Sequence, residues 1–318
     1  MKAKRCLYCY QELDDETLDY HPKCSKLFFG LNTPPMLSIA EEELESIASE
    51  IVKRRITIPG VQPKLSLAIK ADADDPKKTR LTIVGLWGNY ILKPQAPGFT
   101  ALPENEDVTM KLARIAGIET ADHSLIRTQA NTLAYITKRF DRTKTDKVPM
   151  EDLCQLSEIP SSGANKYNST MEKTGKVIGK YSSVPGLDML RYFEITLFSF
   201  LSGNADMHLK NFSILKNDEN QYRLTPAYDL VCTALAMPDD KEQMAMYLNG
   251  KKNSIKKKDF IEFASKLKID KTVIDKIIDK QIGLQEEYES LIAISFLSEE
   301  MKAQYIELMR SRIKILEA

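Results

Sequence analysis

The chain of 318 residues contains no apolar run that approaches the roughly 20 consecutive apolar residues of a membrane-spanning helix. Its first ten residues, MKAKRCLYCY, also lack the apolar core of a secretory signal. We therefore expect a cytoplasmic protein with no membrane partner.

The chain also lacks an excess of charge, because 45 Lys and Arg residues balance 45 Asp and Glu residues. A neutral chain has no general attraction to a polyanion, so we expect any contact with DNA to run through a basic partner. Hydrophobic residues make up 43% of the sequence, which is typical of a soluble, folded protein. The length allows one large domain or two lobes.

Cysteines are few and odd in number, five in all, which argues against a disulfide framework in a chain without an export signal. Cys6, Cys9, His21 and Cys24 follow the spacing C-x2-C, eleven residues, H-x2-C. Each close pair can occupy one edge of a tetrahedral Zn2+ site, so residues 1–30 are a candidate zinc knuckle. The alternative is that Cys6 and Cys9 are ordinary buried thiols and His21 is a surface residue. Neither interpretation makes this segment the catalytic centre.

The hydrophobic pattern changes along the chain. Alternating apolar residues predict a strand at LSLAIK, after a turn at Gly60, and further strands at RLTIVGL, YILKP, HSLIRT and TLAYITKRF. A helical period is found in LPENEDVTMKLARIAGI, with Gly117 as its stop signal. Beyond about residue 150 the pattern is helical except at NFSIL and YRLTPAYDL. We predict an α+β fold with a β-rich lobe at 31–140, a helical lobe at 141–318 and a ligand cleft between them.

Several residues have the types that phosphoryl transfer requires. Asp206 and Asn211 lie five positions apart between an apolar helix and a strand, and Asp229 follows the next short strand. These oxygen ligands suit Mg2+, and an acidic group can also orient the attacking hydroxyl. Lys93 ends the strand YILKP, and Glu106 lies close enough in sequence to hold its amine in an ion pair. The turn at Gly60 would let the backbone approach phosphate oxygens.

The order of these parts, rather than any one of them, indicates a function. A turn, a strand with Lys, a helix with Glu, then Asp-x4-Asn, a strand pair and Asp is the order found in protein kinases. The motifs G-x-G-x-x-G, H-R-D and D-F-G are nevertheless absent from the sequence. In their places stand TIPGVQPKLS and GNADMHLKNFSIL.

With these replacements the sequence resembles the HipA family of bacterial toxin kinases along nearly its whole length. The resemblance rests on TIPGVQPKLSL, NYILKP, LPENE, ITKRFDR, GNADMHLKNFSIL, PAYDLV and LNGKKNSIKKKDF. The chain is most similar to the short HipT type, which lacks the amino-terminal subdomain of the longest members and has it as a separate small protein.

The resemblance implies a two-lobed Ser/Thr kinase fold that uses ATP and Mg2+. By motif, Asp206 corresponds to the catalytic aspartate, Asn211 and Asp229 to the Mg2+ ligands, and Lys93 to the phosphate-binding lysine with Glu106 as its partner. The other nucleotide contacts that it implies are Pro59, Gly60, Val61, Gln62, Pro63, Lys64, Lys138, Arg139, Phe140, Asp141, His208, Lys210 and Tyr228. The resemblance also places Gln155, Lys166 and Tyr167 near the active cleft.

The family regulates itself by phosphorylating a serine just before the loop glycine. Position 57 of this chain is Thr, whereas a second phosphorylated position of some short members is occupied by Pro59. We therefore expect at most one site of autophosphorylation, Thr57, which would hold the loop away from the nucleotide.

The family's targets are aminoacyl-tRNA synthetases, and its partners are antitoxins of helix-turn-helix type that contact DNA. A synthetase substrate, such an antitoxin and a small separate subdomain-like protein are thus the implied partners. Two alternatives remain: a pseudokinase that binds ATP and mainly holds an antitoxin, and a small-molecule phosphotransferase such as an aminoglycoside kinase. Lys93, Asp206, Asn211 and Asp229 are all present, which argues against the first, and the GVQPK loop argues against the second.

Overall fold

The computed structural model describes residues 4–37, 39, 64–71, 78–84, 87–143, 146–160 and 163–318. The chain divides into two compact units. The first consists of residues 1–107 and 121–140, and the second of residues 108–120 and 141–318.

The first unit is built on a six-stranded sheet within the described residues. Helix α1 (Pro22–Phe29) precedes it, and its strands are β1 (Met36–Leu37), β2 (Leu65–Ala71), β3 (Thr79–Ile83), β4 (Tyr90–Lys93), β5 (His123–Arg127) and β6 (Leu133–Lys138). The spatial order is β1-β3-β2-β4-β6-β5, in which β1 and β3 are parallel and the other neighbours antiparallel.

The register of this sheet places Lys93 at the end of an inner strand, β4. Leu65 and Leu67 are buried on one face of β2, as the alternating pattern predicts. Leu65 pairs with Leu92 of β4, and the next residue, Lys93, pairs with Tyr135 of β6. Lys93 is therefore positioned by its pairing with β6, directly after the last β4 residue that pairs with β2.

Helix α2 (Leu102–Ile115) crosses the boundary between the two units after Asp107. Its start is fixed by Gln95, whose side-chain oxygen accepts the backbone N–H of Leu102 at 3.0 Å. Gly117, with φ of 86°, ends it as predicted, because this left-handed conformation is easy only for glycine.

The second unit is mainly helical. Its helices are α3 (Leu153–Leu156), α4 (Met171–Tyr181), α5 (Pro185–Leu201), α6 (Thr233–Ala236), α7 (Lys257–Lys266), α8 (Lys271–Gly283), α9 (Gln285–Ala293) and α10 (Glu299–Glu317). A three-stranded antiparallel sheet runs in the order β7 (Met150–Asp152), β8 (Ser213–Lys216) and β9 (Tyr222–Leu224). Two 3-10 turns, Gly163–Tyr167 and Leu209–Asn211, also belong to the second unit.

Helix α5 is the buried axis of this unit and leads to the polar stretch that follows it. Pro185 opens the helix, a position where its missing N–H costs nothing. In its first turn the buried Asp188 accepts hydrogen bonds from Ser182 Oγ at 2.6 Å and from the backbone N–H of Leu224 at 2.9 Å. Asp188 thereby joins the start of α5 to the end of β9.

The observed elements confirm the α+β fold predicted from the sequence. No helix in the described ranges is both long and apolar enough to cross a lipid bilayer.

Candidate active site

An ion pair lies in the interior of the first unit. Lys93 at the end of β4 and Glu106 in α2 are only 3% and 2% exposed. The Lys93 amine donates a hydrogen bond to Glu106 Oε1 and lies 5.2 Å from the centre of the Tyr135 ring. A charge this deeply buried requires an opposite charge beside it, so Glu106 fixes the position of the amine.

The predicted phosphate loop is only partly visible. Thr57, Pro59, Gly60, Val61, Gln62 and Pro63 lie outside the described residues. Lys64 is described, and it is an exposed residue directly before β2.

The predicted adenine segment follows β6. The Lys138 amine lies 5.5 Å from the centre of the Phe28 ring and donates to the Leu27 carbonyl at 3.4 Å, so its side chain packs on helix α1. The backbone N–H of Arg139 donates to Asn89 at 2.9 Å. Lys138, Arg139 and Phe140 belong to the first unit and Asp141 to the second, where Arg142 donates to the Asp141 carboxylate at 2.5 Å.

The polar stretch after α5, residues 203–211, is fixed by hydrogen bonds and is called the catalytic loop after the role that the sequence predicts for Asp206. Asn204 Oδ1 accepts the backbone N–H of Asp206 at 3.0 Å. Thr233 Oγ1 accepts the N–H of Ala205 at 2.8 Å and donates to the Gly203 carbonyl at 3.0 Å. Gly203 has φ of 69°, and an added Cβ would lie 2.5 Å from Leu308 Cδ2. The loop therefore needs glycine at this position.

Asp206 is the single acidic residue of this loop, and its side chain is 34% exposed. Tyr167 donates its hydroxyl hydrogen to Asp206 Oδ1. The Tyr167 ring also contacts the His208 ring edge to face, with centroids 5.1 Å apart. Burial, reinforced by the Asp206 charge, raises the pKa of Tyr167 well above its ordinary value. Tyr167 therefore stays protonated and acts as a hydrogen-bond donor to the acid.

His208 lies beside Asp206 without being charged. Its Nε2 is 3.8 Å from Asp206 Oδ1, and its ring is 5% exposed. Burial lowers the pKa of His208 to about 4, although the carboxylates of Asp206 and Asp229 oppose the shift. The Nδ1 atom is buried and forms no hydrogen bond within the described residues. Near neutral pH the ring is thus a neutral polar group in the midst of carboxylates.

Asn211 and Asp229, the predicted Mg2+ ligands, carry oxygen atoms of the type that binds a divalent cation. The amide nitrogen of Asn211 donates to the Asp206 carbonyl at 3.2 Å, which leaves the amide oxygen as the atom suited to a cation. Asp229 is half-buried and has φ of 57°, an uncommon conformation for a residue other than glycine. A carboxylate and an amide oxygen are hard ligands of the kind that Mg2+ prefers, so these residues fit the ion.

Tyr228 connects these two ligand positions. Its hydroxyl donates to the Lys210 carbonyl at 2.9 Å and pairs with Ser213 Oγ at 2.6 Å. The residue before Asp229 is thereby tied to the residue before Asn211. Tyr228 was predicted as a nucleotide contact, and its hydroxyl serves here to join the two segments.

The cysteine and histidine cluster predicted near the start of the chain is also present. The four ligand atoms of Cys6, Cys9, His21 and Cys24 lie within 4.8 Å of one another. It is the one group of three or more such side chains found in the described ranges. All five cysteines carry free thiols.

The structure reveals site residues whose roles the sequence did not indicate. The resemblance placed Tyr167 near the active cleft without assigning it a role. Its hydrogen bond to Asp206 joins residues 39 positions apart in the chain. Asn204 was visible in the polar stretch but had no assigned role. Its Asp206 contact is an Asx-type turn, for which an Asn two residues before the acid is a recognisable signal.

Comparison with known proteins identifies the family. The model of the HipA-like C-terminal domain matches residues 56–287. The chain belongs to this family. The match includes β2, Lys93, Glu106, the catalytic loop and Asp229. The amino-terminal cluster, which is not part of the candidate kinase site, lies outside the match.

Relatives in this family carry kinase names. One named "Putative kinase" from Haemophilus influenzae is 28% identical in an alignment of 309 positions that covers 89% of this chain and 88% of that protein. "Putative kinase Y4dM" of Sinorhizobium fredii is 32% identical over 70% of this chain and 56% of its own length. The serine/threonine-protein kinase toxin HipA of Shewanella oneidensis is 28% identical over 62% of this chain and 47% of its own.

A solved structure shows the same fold. It is the HipA chain of a complex of HipA, HipB and operator DNA from Shewanella oneidensis, with a TM-score of 0.65 and 20% identity. The likeness covers 85% of this chain and 73% of that one. It confirms the kinase-like α+β fold.

Proposed function

We propose that this HipA-family protein is a serine/threonine protein kinase that uses ATP and Mg2+. The observation that carries the proposal is the catalytic loop, in which an accessible Asp206 lies beside a neutral His208 and an amide oxygen of Asn211 suited to metal. A buried lysine and glutamate pair in the first unit supplies the cation that nucleotide phosphates require.

Each residue has a role that follows from its surroundings. Asp206, accessible and held by Tyr167, orients the acceptor hydroxyl and accepts its proton. Asn211 and Asp229 hold Mg2+, which neutralises charge on the transferred phosphoryl group when it is bound. Lys93 contacts the phosphates, and Glu106 keeps its amine in place.

The remaining nucleotide contacts follow the family pattern. Residues 59–64 cover the phosphates, Lys138, Arg139 and Phe140 receive the adenine, and Asp141 lies near the ribose. The Lys138 amine contacts Phe28, and the Lys138 backbone N–H donates to the Asp122 carbonyl at 2.8 Å, so both groups have partners within the first unit. His208, Lys210 and Tyr228 line the nucleotide or support the groups that do.

The biological role we propose is that of a toxin in a toxin-antitoxin system in the cytoplasm. An aminoacyl-tRNA synthetase is the proposed substrate. The proposed partners are a helix-turn-helix antitoxin, through which DNA is contacted indirectly, and a small separate subdomain-like protein. Support comes from the toxin name of the Shewanella relative and from the HipB and operator DNA of the solved complex.

Expression in cells without an antitoxin tests this role. We expect the wild type and the control Asp218→Ala, which changes an exposed turn residue, to arrest growth, whereas Asp206→Ala permits it. Radiolabel from ATP should enter one host protein only where growth stops. Equal growth of all three strains at equal expression would overturn the proposal.

Regulation is proposed to act through Thr57, whose phosphorylation would hold the loop out of the nucleotide site. Mass spectrometry of protein made in cells should find phosphate on Thr57 in the wild type and none in Asp206→Ala. Unmodified Thr57 in the wild type under all growth conditions would contradict this step.

A further inference from the structure

The amino-terminal cluster of Cys6, Cys9, His21 and Cys24 has the shape of a metal site. Two distances describe the position of the histidine: His21 Nδ1 lies 3.4 Å from Cys9 Sγ and 3.8 Å from Cys24 Sγ. Ligands about 2.0 to 2.3 Å from a tetrahedral zinc are separated from each other by about 3.5 to 3.8 Å. The two separations from His21 match those of a tetrahedral site, and all four ligand atoms lie within 4.8 Å of one another.

The histidine is also oriented as a ligand. Its other ring nitrogen, Nε2, lies 2.9 Å from the Glu12 carbonyl oxygen. A carbonyl accepts only, so Nε2 carries the hydrogen and Nδ1 presents its lone pair to the sulfurs. A backbone carbonyl that holds the second nitrogen in this manner is a regular feature of histidine zinc ligands.

Local structure brings the two ligand pairs together. Cys6 and Cys9 flank a tight turn in which the N–H of Tyr10 donates to the Cys6 carbonyl at 2.9 Å. His21 directly precedes α1, and Cys24 lies in the first turn of that helix. A turn with C-x2-C and a helix start with H-x2-C are thus joined at one point, as in small zinc knuckles.

The loop between the ligands is fixed to the sheet of the first unit. The N–H of Leu125 on edge strand β5 donates to the Leu7 carbonyl at 3.4 Å, and Ser124 Oγ donates to the same oxygen at 3.2 Å. Tyr20 donates its hydroxyl hydrogen to the Leu125 carbonyl. The loop therefore covers the outer edge of β5, the last strand of the described sheet.

One residue of the loop reaches the helix that carries Glu106. The hydroxyl of Tyr10 donates to Asp107 Oδ2 at 2.6 Å, and the other carboxylate oxygen of Asp107 pairs with His123 Nδ1 at 2.7 Å. All three residues are fully buried. Asp107 directly follows Glu106 in α2, so Cys9 is connected to the partner of Lys93 through Tyr10 and Asp107.

From these contacts we infer that Cys6, Cys9, His21 and Cys24 bind one structural Zn2+, and that the metal-held loop, through Tyr10 and Asp107, positions the start of α2 and hence Glu106. Metal binding itself does not rest on the proposed kinase activity. It rests on the four ligand atoms and on the orientation of His21.

Metal analysis of the full-length protein tests the site. We expect one zinc per chain in protein purified without added metal. The same should hold for the matched control Cys154→Ser, whereas Cys9→Ser and Cys24→Ser should contain less than a tenth of that amount.

Wild-type protein stripped of metal and given Co2+ should bind one equivalent and show the visible bands of a tetrahedral thiolate site. This measurement decides the matter even if the cysteine variants fail to fold. Protein that contains no zinc and binds no Co2+ overturns the proposal.

Hydrogen exchange tests the positioning step. Removal of zinc from the wild type should increase amide exchange severalfold in residues 102–107, and Tyr10→Phe should do so while retaining one zinc per chain. The matched control Tyr222→Phe, on an exposed strand residue of the second unit, should leave this segment unchanged. Unchanged exchange at 102–107 after zinc removal would refute the link to Glu106, whatever the kinase assays show.

Discussion

The ion pair of Lys93 and Glu106 and the catalytic loop are two polar sites of opposite character. The ion pair is closed, with both groups almost completely buried and a bond between them. The loop is open, with Asp206 one-third exposed and a buried His208 nitrogen that has no hydrogen bond within the described residues. Asp229, which lies outside the loop, is half-buried. The first site is complete as a structure, whereas the second has donor and acceptor groups positioned for ligands.

This difference predicts that mutations in the two sites fail in different ways. Loss of a loop carboxylate should remove activity with little effect on folding, because its surroundings tolerate solvent. Loss of a member of the ion pair should also reduce the stability of the first unit, because a buried charge then loses its partner.

The largest effect is expected for Asp229→Asn. Loss of the carboxylate should lower kcat by about a thousandfold, equivalent to about 4 kcal/mol in the activation barrier, since metal neutralisation of the phosphoryl charge is weakened. The Mg2+ concentration for half-maximal activity should also rise. Kinase assays over a Mg2+ series measure both effects, with Asp218→Asn as the matched control. An unchanged Mg2+ requirement would show that Asp229 is not a metal ligand.

Glu106→Leu should destabilise the first unit by about 3 kcal/mol, because Lys93 remains buried without its carboxylate partner. The double variant Lys93→Met with Glu106→Leu should regain most of this loss while remaining inactive. Urea unfolding followed by amide hydrogen exchange in β2 and β4 reports on this unit. If the single variant were as stable as the wild type, the ion pair would not be a closed structural unit.

Stability should depend on pH through His208. Its folded pKa of about 4 lies below the ordinary 6.5, so the unfolded chain binds the extra proton between these values. The stabilisation is therefore complete above pH 6.5 and is lost as pH falls toward 4, by at most about 3 kcal/mol. Unfolding at pH 7 and pH 4.5 should show a smaller difference in His208→Asn than in the wild type. Equal differences would contradict the buried neutral state.

The smallest effect is expected for Tyr167→Phe. The hydroxyl holds Asp206, and loss of one hydrogen bond costs about 1 kcal/mol, so kcat should fall by about threefold to tenfold. The Mg2+ requirement should stay constant, because Asn211 and Asp229 are unchanged. A rise in kcat would mean that Tyr167 blocks Asp206 rather than positions it.

The sequence predicted the structural features that depend on short separations along the chain or on recognisable motifs. Strand alternation located β2, Gly117 marked the end of α2, and the 13 positions between Lys93 and Glu106 allowed their ion pair to be anticipated. The spacing of the amino-terminal cluster indicated four candidate ligands but left ordinary buried thiols as an alternative, and it is the structure that brings the four side chains together.

The parts that the sequence left unpredicted depend on tertiary packing. Tyr10 and Asp107 are 97 positions apart, and neither has a neighbouring motif that points to the other. The low pKa of His208 follows from its burial, which the polar sequence around it does not reveal. The packing of Lys138 against Phe28 also joins distant segments, 110 positions apart in the chain.

The central claim, that the catalytic loop transfers phosphate to a protein hydroxyl, is tested most directly with the purified chain. Wild type, Asp218→Asn and Asp206→Asn would be incubated with γ-labelled ATP, Mg2+ and cell-extract proteins, and the labelled amino acids identified. We predict phosphoserine or phosphothreonine from the first two and at least a hundredfold less from Asp206→Asn, at equal thermal stability. Equal labelling by Asp206→Asn, or no transfer by the wild type, would contradict the account.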